Sequence, residues 1–357
     1  MSRLIAVYRV KSDAADIAAR ARGIATEQSV EMPLEAIDND FVLSEIVGRV
    51  ESIEDRGGGS FEVRVSLSAQ TIGNDAGQFI NMALGNTSMH EAVTLCDVEL
   101  PDDLAGRFPG PNAGIDGLRA RVGAGRRALT CTALKPQGSS VAQLAALAGR
   151  CAEGELDYIK DDHGIADQAY SPFAARAEAC ARAVRKASPR ARYVPSLSGS
   201  LDRLREQMRL SREAGIDTVM IQPMIMGLSN MQALVQENPD IAFLAHPTMT
   251  GGHIAPALLN KLFRLFGADA VIFAGYGGRF GYSKETCREI ARGALMPWHG
   301  KKSAIPVPAG GMVLERVPEL LDFYGRDVML LIGGSLLLAR DNLVAEARAF
   351  QKAVESY

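Results

Sequence analysis

Residues 154–163 read GELDYIKDDH, an apolar stretch that ends in a lysine, two aspartates and a histidine. The apolar part has the length of one buried strand, and the polar residues stand at its carboxyl end. Seven other short apolar runs alternate with stretches of helical spacing. Eight strands, each followed by a helix, over roughly 230 residues are typical of a (β/α)8 barrel. The predicted strands cover residues 128–134, 156–159, 191–195, 216–221, 241–245, 269–274, 303–307 and 328–332.

A doubly wound open sheet would also alternate strands and helices, and the polar residues favour the barrel over it. Polar residues or glycines follow the predicted strands, and in a barrel all of them meet at one rim, where active sites lie. We therefore predict an α/β protein with a TIM barrel. The rim positions that we single out are Lys135, Lys160, Asp162, His163, Gln222, His246, Gly310, Gly311, Gly333 and Gly334.

The N-terminal third has a different pattern, which predicts a ferredoxin-like α+β domain. Strands are expected over 4–10, 41–53, 60–67 and 92–100, and helices over 12–23 and 75–84. The order β-α-β-β-α-β is that of the ferredoxin-like motif. A stretch rich in proline and glycine, residues 101–125, follows as the best linker candidate and contains FPGPNAGIDG at 108–117. We place the domain boundary after residue 122, with the α+β domain over 1–122 and the barrel over 123–357.

The composition restricts the class of protein. Of the 357 residues, 47% are hydrophobic and 23% are charged, which excludes disordered, collagen-like and disulfide-scaffold proteins. A net charge of −3 gives no reason to expect nucleic acid or an anionic membrane as partner. The five cysteines are scattered without a CxxC pair, and no targeting segment or membrane span is visible. We expect a cytoplasmic enzyme with reduced thiols.

Lys160 and Asp162 form the first candidate site. Residues i and i+2 of a strand point the same way, so both side chains can face one cavity, with His163 at the start of the loop. The plain alternative is a solvated turn in which the lysine forms a salt bridge with the aspartates. If the Lys160 amine adds CO2, the carbamate and Asp162 offer oxygen ligands that suit Mg²⁺.

The glycine pairs form the second candidate site. Gly310 and Gly311 follow the seventh run, and Gly333 and Gly334 follow the eighth. The loops after strands 7 and 8 of a barrel commonly bind phosphate through backbone N–H groups, although such glycines also occur in plain turns.

Two further rim residues carry chemistry, each with a plain alternative. Lys135 can transfer protons, or it is a lysine of a surface turn. His246 can bind a substrate hydroxyl, or it is a hydrogen-bonded core histidine.

These motifs resemble the RuBisCO large subunit, and more closely the RuBisCO-like proteins, over nearly the whole chain. GELDYIKDDH is similar to the family segment GGLDFxKDDE, whose lysine is carbamylated and binds Mg²⁺ with the following Asp and Glu. The resemblance implies one Mg²⁺ per site, held by Lys160, Asp162 and His163. It also implies that Lys135 and His246 are catalytic and that Gly311, Gly333 and Gly334 bind phosphate.

The resemblance extends to the N-terminal domain. IATEQS at 24–29 is similar to the family's AAESS, and ALGN at 83–86 to its VGN. These matches imply that Glu27 and Asn86 complete the active site of the neighbouring subunit. The expected assembly is therefore a homodimer with shared active sites.

Departures from the family pattern narrow the function. The loop after the sixth run, GYGGRFGYS at 275–283, is short and offers Arg279 where RuBisCO has a lysine, so we do not expect carboxylation. We interpret this loop as a lid or an anion-binding loop. His163 in place of a glutamate makes a softer cation conceivable. The positions of the second phosphate's ligands hold Pro247, Phe273 and Ala309, which predicts a substrate with one phosphate.

The retained residues suit a metal-stabilised enolate formed from a singly phosphorylated keto sugar or sugar acid. We favour a Mg-dependent lyase, the decarboxylase of a 3-oxo sugar acid phosphate such as 3-oxo-isoapionate 4-phosphate. In it, Arg279 would hold the departing carboxylate. The alternative is an isomerase or enolase of a methylthio-ribulose-type phosphate, as in sulfur salvage. A non-catalytic regulatory homologue is the third hypothesis.

Overall fold

The structure is a computed structural model that describes residues 2–278 and 280–357. It contains a four-stranded sheet and an eight-stranded sheet. The chain divides into two compact units, Met1–Pro109 with Thr250–Leu262, and Gly110–Met249 with Phe263–Tyr357. No helix among the described residues is both long and apolar enough to cross a membrane.

The first unit has the predicted ferredoxin-like topology. Its sheet order is β2-β3-β1-β4, and the pairs β1–β3, β1–β4 and β2–β3 are antiparallel. The alternating apolar residues of β3 are buried, as their spacing predicts. The elements are β1 (Arg3–Lys11), α1 (Ile17–Glu27), β2 (Arg49–Asp55), β3 (Ser60–Ser68), α2 (Ala76–Ala83), β4 (Val93–Glu99) and α3 (Asp102–Ala105).

The long strand predicted over 41–53 is wrong in its first half, where Val42–Ile46 forms a π-helical turn. Asn39 Oδ1 accepts hydrogen bonds from the backbone N–H groups of Phe41 and Val42, at 3.0 Å and 3.3 Å, and so starts the turn. Gly48 then passes so close to α1 that a Cβ would lie 2.3 Å from the Ala25 carbonyl oxygen. Local hydrogen bonding and this close approach outweigh the β-branched composition.

The second unit is the predicted (β/α)8 barrel. The strand order is β7-β6-β5-β12-β11-β10-β9-β8, with parallel pairing throughout. A parallel bridge between Ser196 and Met220 joins β7 to β8 and closes the ring. The strands are β5 (Leu129–Leu134), β6 (Tyr158–Asp161), β7 (Arg192–Val194), β8 (Thr218–Ile221), β9 (Ala242–Ala245), β10 (Ala270–Ala274), β11 (Ile305–Ala309) and β12 (Met329–Ile332).

Helices follow the barrel strands, as their amphipathic spacing predicts. Ser140 begins α5 with a capping box that it forms with Gln143. The remaining helices are α4 (Gly114–Val122), α5 (Val141–Glu153), α6 (Phe173–Ala187), α7 (Leu201–Glu213), α8 (Pro223–Met226), α9 (Leu228–Glu237), α10 (Pro256–Leu265), α11 (Lys284–Leu295), α12 (Val317–Tyr324), α13 (Gly334–Leu337) and α14 (Leu343–Glu355).

Helix α4 packs its apolar face into the core formed by the inward residues of the strands. Asp269 fixes its start, because one carboxylate oxygen accepts from the N–H groups of Ala113 and Gly114 at 2.6 Å and 2.7 Å. The other oxygen accepts from Phe243 N at 2.7 Å. The unit that contains the barrel therefore begins at Gly110, before the boundary predicted after residue 122. The limits of separately folding domains stay a prediction.

Candidate active site

The carboxyl ends of the barrel strands bring the predicted polar residues to one mouth. Tyr158 on β6 belongs to the barrel core, so alternation directs Lys160 and Asp162 to the same inner face. The same argument from Cys131 on β5 directs Lys135 inward. Met220, Leu244 and Leu331, which also belong to the core, set the inward register of Gln222, His246 and Gly333.

Lys135 and Asp162 form an ion pair at the mouth, with Lys135 Nζ 2.5 Å from Asp162 Oδ1. Asp162 is only 8% exposed. Burial alone would raise the pKa of its carboxyl. The hydrogen bonds from His163 and Lys135 and the charges of Lys135 and Lys160 outweigh burial and lower this pKa. Asp162 is therefore an ionised carboxylate held against a cation.

Lys160 lies inside β6 and is 2% exposed. Its ammonium donates to the carbonyl oxygen of Asp161 at 2.9 Å. Burial lowers the pKa of Lys160, because a charged amine loses its hydration in the barrel interior. The site therefore favours the neutral amine more than solvent does.

The two histidines of the prediction lie against each other. The rings of His163 and His246 are stacked, with centroids 4.5 Å apart and planes inclined by 14°. His163 Nδ1 lies 3.6 Å from Asp162 Oδ1, and His246 Nδ1 lies 2.6 Å from Thr248 Oγ1. Burial, with the charges of Lys160 and His163, lowers the pKa of His246 to about 2. His246 is therefore neutral near pH 7.

A buried network behind the mouth was missed in the sequence. Asp161, which alternation turns away from Lys160, pairs with Arg176 of α6 at 3.0 Å, and both side chains are fully buried. The Tyr193 hydroxyl and the Ser196 N–H also donate to its carboxylate, at 2.7 Å and 3.1 Å. Burial raises the pKa of Asp161, although these three partners act to lower it. The first aspartate of the KDDH segment thus holds β6 in place and does not face the mouth.

Gln222 joins the mouth from β8. It is 3% exposed, and its amide nitrogen donates to Ser196 Oγ at 2.8 Å. The same nitrogen lies 3.5 Å from the carbonyl oxygen of His163. Gln222 therefore contacts the loop that carries His163, and its role in substrate binding stays a prediction.

The glycine pairs lie at the ends of β11 and β12. Gly310 and Gly311 have positive φ angles of 87° and 73°. At Gly333 and Gly334, an added Cβ would meet no atom within 4 Å. Packing within the chain therefore does not explain why positions 333 and 334 are glycine, and the binding of phosphate there stays a prediction.

Phe273 and Arg279, which the sequence analysis placed around the mouth, are not found there among the described residues. Phe273 does not line the mouth, because alternation on β10 turns it outward, where its ring lies 6.2 Å from that of Tyr324 on α12. Ala274 holds the inward position. Pro247 and Ala309 are partly buried, as expected for residues near the mouth. The predicted anion-binding residue Arg279 lies outside the described residues.

The first unit brings Glu27 and Asn86 together. Asn86 Nδ2 donates to Glu27 Oε1 at 2.9 Å, although 59 positions separate the two residues. Gln28 supports this contact, because its amide donates to the carbonyl oxygens of Asn81 and Met82. The end of α1 and the segment after α2 are thereby joined.

Comparison with known proteins decides the family. Residues 114–357 match the family described as ribulose bisphosphate carboxylase large chain, catalytic domain. The chain belongs to the RuBisCO large-chain family. It is a form IV, RuBisCO-like member, since its relatives carry that name.

Two RuBisCO-like relatives cover almost the whole chain. The chain is 59% identical to a 5-methylthioribulose-1-phosphate isomerase of Rhodospirillum rubrum, over 99% of this chain and 96% of that protein. It is 29% identical to a 2,3-diketo-5-methylthiopentyl-1-phosphate enolase of Geobacillus kaustophilus, over 100% of this chain and 92% of the relative. The crystal structure of a Rubisco-like protein from Rhodopseudomonas palustris superposes with a TM-score of 0.94 at 47% identity, covering 100% and 99% of the two chains.

RuBisCO-like and RuBisCO proteins generally use Mg²⁺ with a carbamylated lysine. Among the described residues, no group of three or more His, Cys, Asp or Glu could hold a metal. Asp162 and His163 would need a third ligand to hold such a cation. A carbamate, formed when the neutral amine of Lys160 adds CO2 and releases a proton, would supply one.

Proposed function

We propose that this RuBisCO-like protein is an isomerase of a singly phosphorylated ketose of the methylthio-ribulose type. The observation that carries the proposal is the Lys135–Asp162 ion pair beside the buried amine of Lys160 and the neutral ring of His246. A relative with 59% identity is named for that substrate class. The relatives thus favour the isomerase alternative over the decarboxylase that the sequence analysis favoured.

The reaction requires a proton to leave a carbon beside the ketone and a proton to return to a neighbouring carbon. The carbon that receives the proton is the former carbonyl carbon, whose oxygen also gains a proton, while the neighbouring hydroxyl loses its proton and becomes the new ketone. No carbon–carbon bond breaks, and no CO2 is released. Lys135 is the proton-transfer group in this proposal, because its ammonium stands at the mouth and donates a hydrogen bond to the Asp162 carboxylate. Proton transfer by a positioned group contributes about 10² to 10⁴ in rate.

Lys160 as a carbamate, Asp162 and His163 would hold the divalent cation of the family. A cation held there would supply polarisation of the substrate ketone and charge stabilisation for the enolate. Asp162 also contacts Lys135, so the same carboxylate joins the proton-transfer group to the charge-stabilising group.

His246 orients the substrate in this proposal. Its Nδ1 contacts Thr248 Oγ1, so Nε2 is the ring nitrogen for a substrate hydroxyl. A neutral imidazole adds no positive charge to a mouth that already contains Lys135. Stacking on His163 fixes the plane of the ring.

The two ends of the substrate match the two sides of the mouth. The backbone N–H groups at Gly310, Gly311, Gly333 and Gly334 bind the phosphate in this proposal. Pro247 and Ala309 lie where the family pattern places ligands of a second phosphate, and neither can offset a second dianion. A methylthio group is apolar and needs no such ligand.

We also propose that the sites are shared in a homodimer. Exposed apolar residues follow α1 and precede β4, next to the Glu27–Asn86 pair in sequence. Others stand on the segments that follow the barrel strands. A second copy of the chain would bury both sets. They are Met32, Leu34, Phe41, Leu43 and Met89 in the first unit, and Tyr170, Ile225, Met249, Phe280 and Leu338 in the second.

The test supplies the purified protein, Mg²⁺ and bicarbonate with 5-methylthioribulose 1-phosphate, and follows the products by phosphorus NMR. The expected result is an isomeric methylthio-pentulose phosphate without CO2. The Lys160→Ala variant should be inactive. Release of CO2 from a phosphorylated 3-oxo sugar acid would support the decarboxylase instead. Absence of turnover and proton exchange with every sugar phosphate tried would support the non-catalytic hypothesis.

A further inference from the structure

The loop after β10 touches the glycines that follow β11. Gly275 N donates to Ala309 O at 2.8 Å. A Cβ on Gly278 would lie 2.5 Å from Gly310 O, and a Cβ on Gly311 would lie 3.0 Å from Gly278 Cα. The two backbones are therefore in contact, and a side chain at either position would push them apart.

Arg316, which lies just before α12, fastens the start of the same loop. Its two terminal nitrogens each donate to Tyr276 O, both at 3.3 Å. Its guanidinium carbon lies 5.2 Å from the centroid of the Tyr276 ring. Glu319 holds Arg316 from the other side, with Nε 3.0 Å from Oε2. The Tyr276 carbonyl is thus held by the guanidinium of Arg316, which Glu319 holds in turn.

The Tyr276 side chain is an anchor for the loop. It is 5% exposed, and its ring packs on that of Phe323 with centroids 4.7 Å apart. The ammonium of Lys284 lies 4.9 Å from its centroid. Two cations and an aromatic ring therefore hold Tyr276, near the start of the loop.

We propose that Gly278 and Arg316 are positioning residues that set the direction of the phosphate-binding backbone after β11. The inference rests on the proposed function, because it takes Gly310 and Gly311 as phosphate ligands. Arg316 acts through Tyr276, and Gly278 acts through its contact with Gly310. In this account neither side chain contacts the substrate.

The planarity of the peptide bond links the contact to the anion. The carbonyl of Gly310 and the N–H of Gly311 belong to one rigid plane. A group that presses on Gly310 O therefore turns Gly311 N–H as well. A hydrogen bond to a charged group depends strongly on its angle, so a turned N–H binds phosphate less well.

The test measures the affinity for inorganic phosphate by calorimetry, and KM and kcat for the sugar phosphate. The variants are Gly278→Ala and Arg316→Met. We expect each to weaken phosphate binding about tenfold, the size of one hydrogen bond to a charged group. KM should rise by a similar factor, while kcat changes less than about threefold. Arg316→Lys should restore part of the affinity.

Two control variants match these changes. Gly251→Ala adds a methyl group where no atom lies within 4 Å. Arg288→Met removes another arginine of the same region. Arg288 lies over the ring of Phe323 and forms an exposed ion pair with Glu285. Both should bind phosphate like the wild type.

The outcomes separate this inference from the proposed function. If the wild type does not bind phosphate, the proposed phosphate site is wrong, and the inference is wrong with it. If the wild type binds phosphate and both folded variants bind it equally well, the inference alone is overturned. A fall in kcat with unchanged phosphate affinity also overturns it. Should Gly278→Ala fail to fold by thermal unfolding, Arg316→Met and its lysine variant decide the question.

Discussion

The ammonium of Lys135 lies 2.5 Å from the carboxylate of Asp162, and the two residues directly follow two adjacent strands of the barrel, β5 and β6. The same oxygen, Asp162 Oδ1, lies 3.6 Å from His163 Nδ1, so one carboxylate contacts both the lysine and the histidine. This shared carboxylate connects proton transfer to charge stabilisation in the proposed isomerase.

Replacing Lys135 by methionine should stop proton transfer. We expect kcat to fall by about 10² or more, because methionine keeps the shape of the side chain and cannot carry a proton. Phosphorus NMR of the isomerisation measures the rate. Lys352→Met, on the exposed face of α14, is the control and should retain wild-type kcat. A Lys135→Met variant with near-normal kcat would remove Lys135 from the mechanism.

Shared active sites can be tested by mixing inactive variants. Glu27→Gln and Lys160→Ala should each be inactive alone. If Glu27 acts in the partner's site, each mixed dimer has one intact site. Refolding an equal mixture into random dimers should therefore make about a quarter of all sites intact. Activity per milligram measures the recovery, and wild type refolded with Lys160→Ala calibrates it. No recovery, with dimers present by light scattering, would mean that Glu27 does not act across the dimer.

Changing His163 to glutamate should alter the preference for the metal. An imidazole suits Mn²⁺ or Zn²⁺ better than it suits Mg²⁺, whereas a carboxylate is a hard oxygen ligand. We expect His163→Glu to bind Mg²⁺ more tightly relative to Mn²⁺, by about tenfold in the ratio of the two dissociation constants. Calorimetry with each metal and bicarbonate measures this ratio. An unchanged ratio would show that His163 is not a metal ligand.

Buried thiols should make the protein less stable at alkaline pH. All five cysteines are free, and burial raises the pKa of Cys131, Cys151 and Cys180 to about 12. Because these folded-state values exceed the ordinary value near 9, the contribution is fully present below pH 9 and is lost as pH rises toward 12. Each thiol therefore lowers the free energy of unfolding by about 1.4 kcal/mol at pH 10.

Urea unfolding of the wild type and of Cys151→Ala at pH 8 and pH 10 isolates this effect. The variant should lose about 1.4 kcal/mol less than the wild type between the two values. Equal losses would mean that Cys151 ionises in the folded protein.

The facing of Lys160 and Asp162 could be predicted from the sequence because strand alternation is a local rule. The core position of Tyr158 fixes the direction of Lys160 and Asp162, and that spacing is visible in the sequence. The partner of Asp161 was not predictable in the same way. Arg176 lies 15 positions away on a helix, and only the packing of α6 on the barrel brings the two together.

Two other features depended on tertiary contacts. The strand predicted over 41–53 shortened because Gly48 packs against α1 and Asn39 starts a turn. The proline-rich stretch looked like a linker, yet its end begins α4 and is held by Asp269, 155 positions away from Gly114. Neither contact leaves a periodic signal in the sequence. The facing of Phe273 depended on the register of β10. Because a one-residue change of register turns a side chain to the other face of a strand, Phe273 points outward instead of into the mouth.

The most direct test of the isomerase is the fate of a solvent proton. The protein is incubated with 5-methylthioribulose 1-phosphate and Mg²⁺ in D2O, and proton NMR follows the carbons beside the ketone. We predict an isomeric ketose phosphate that carries solvent deuterium next to its carbonyl, formed without CO2 and lost in Lys135→Met. An unchanged substrate that shows no deuterium exchange in the metal-loaded protein would contradict the proposed function.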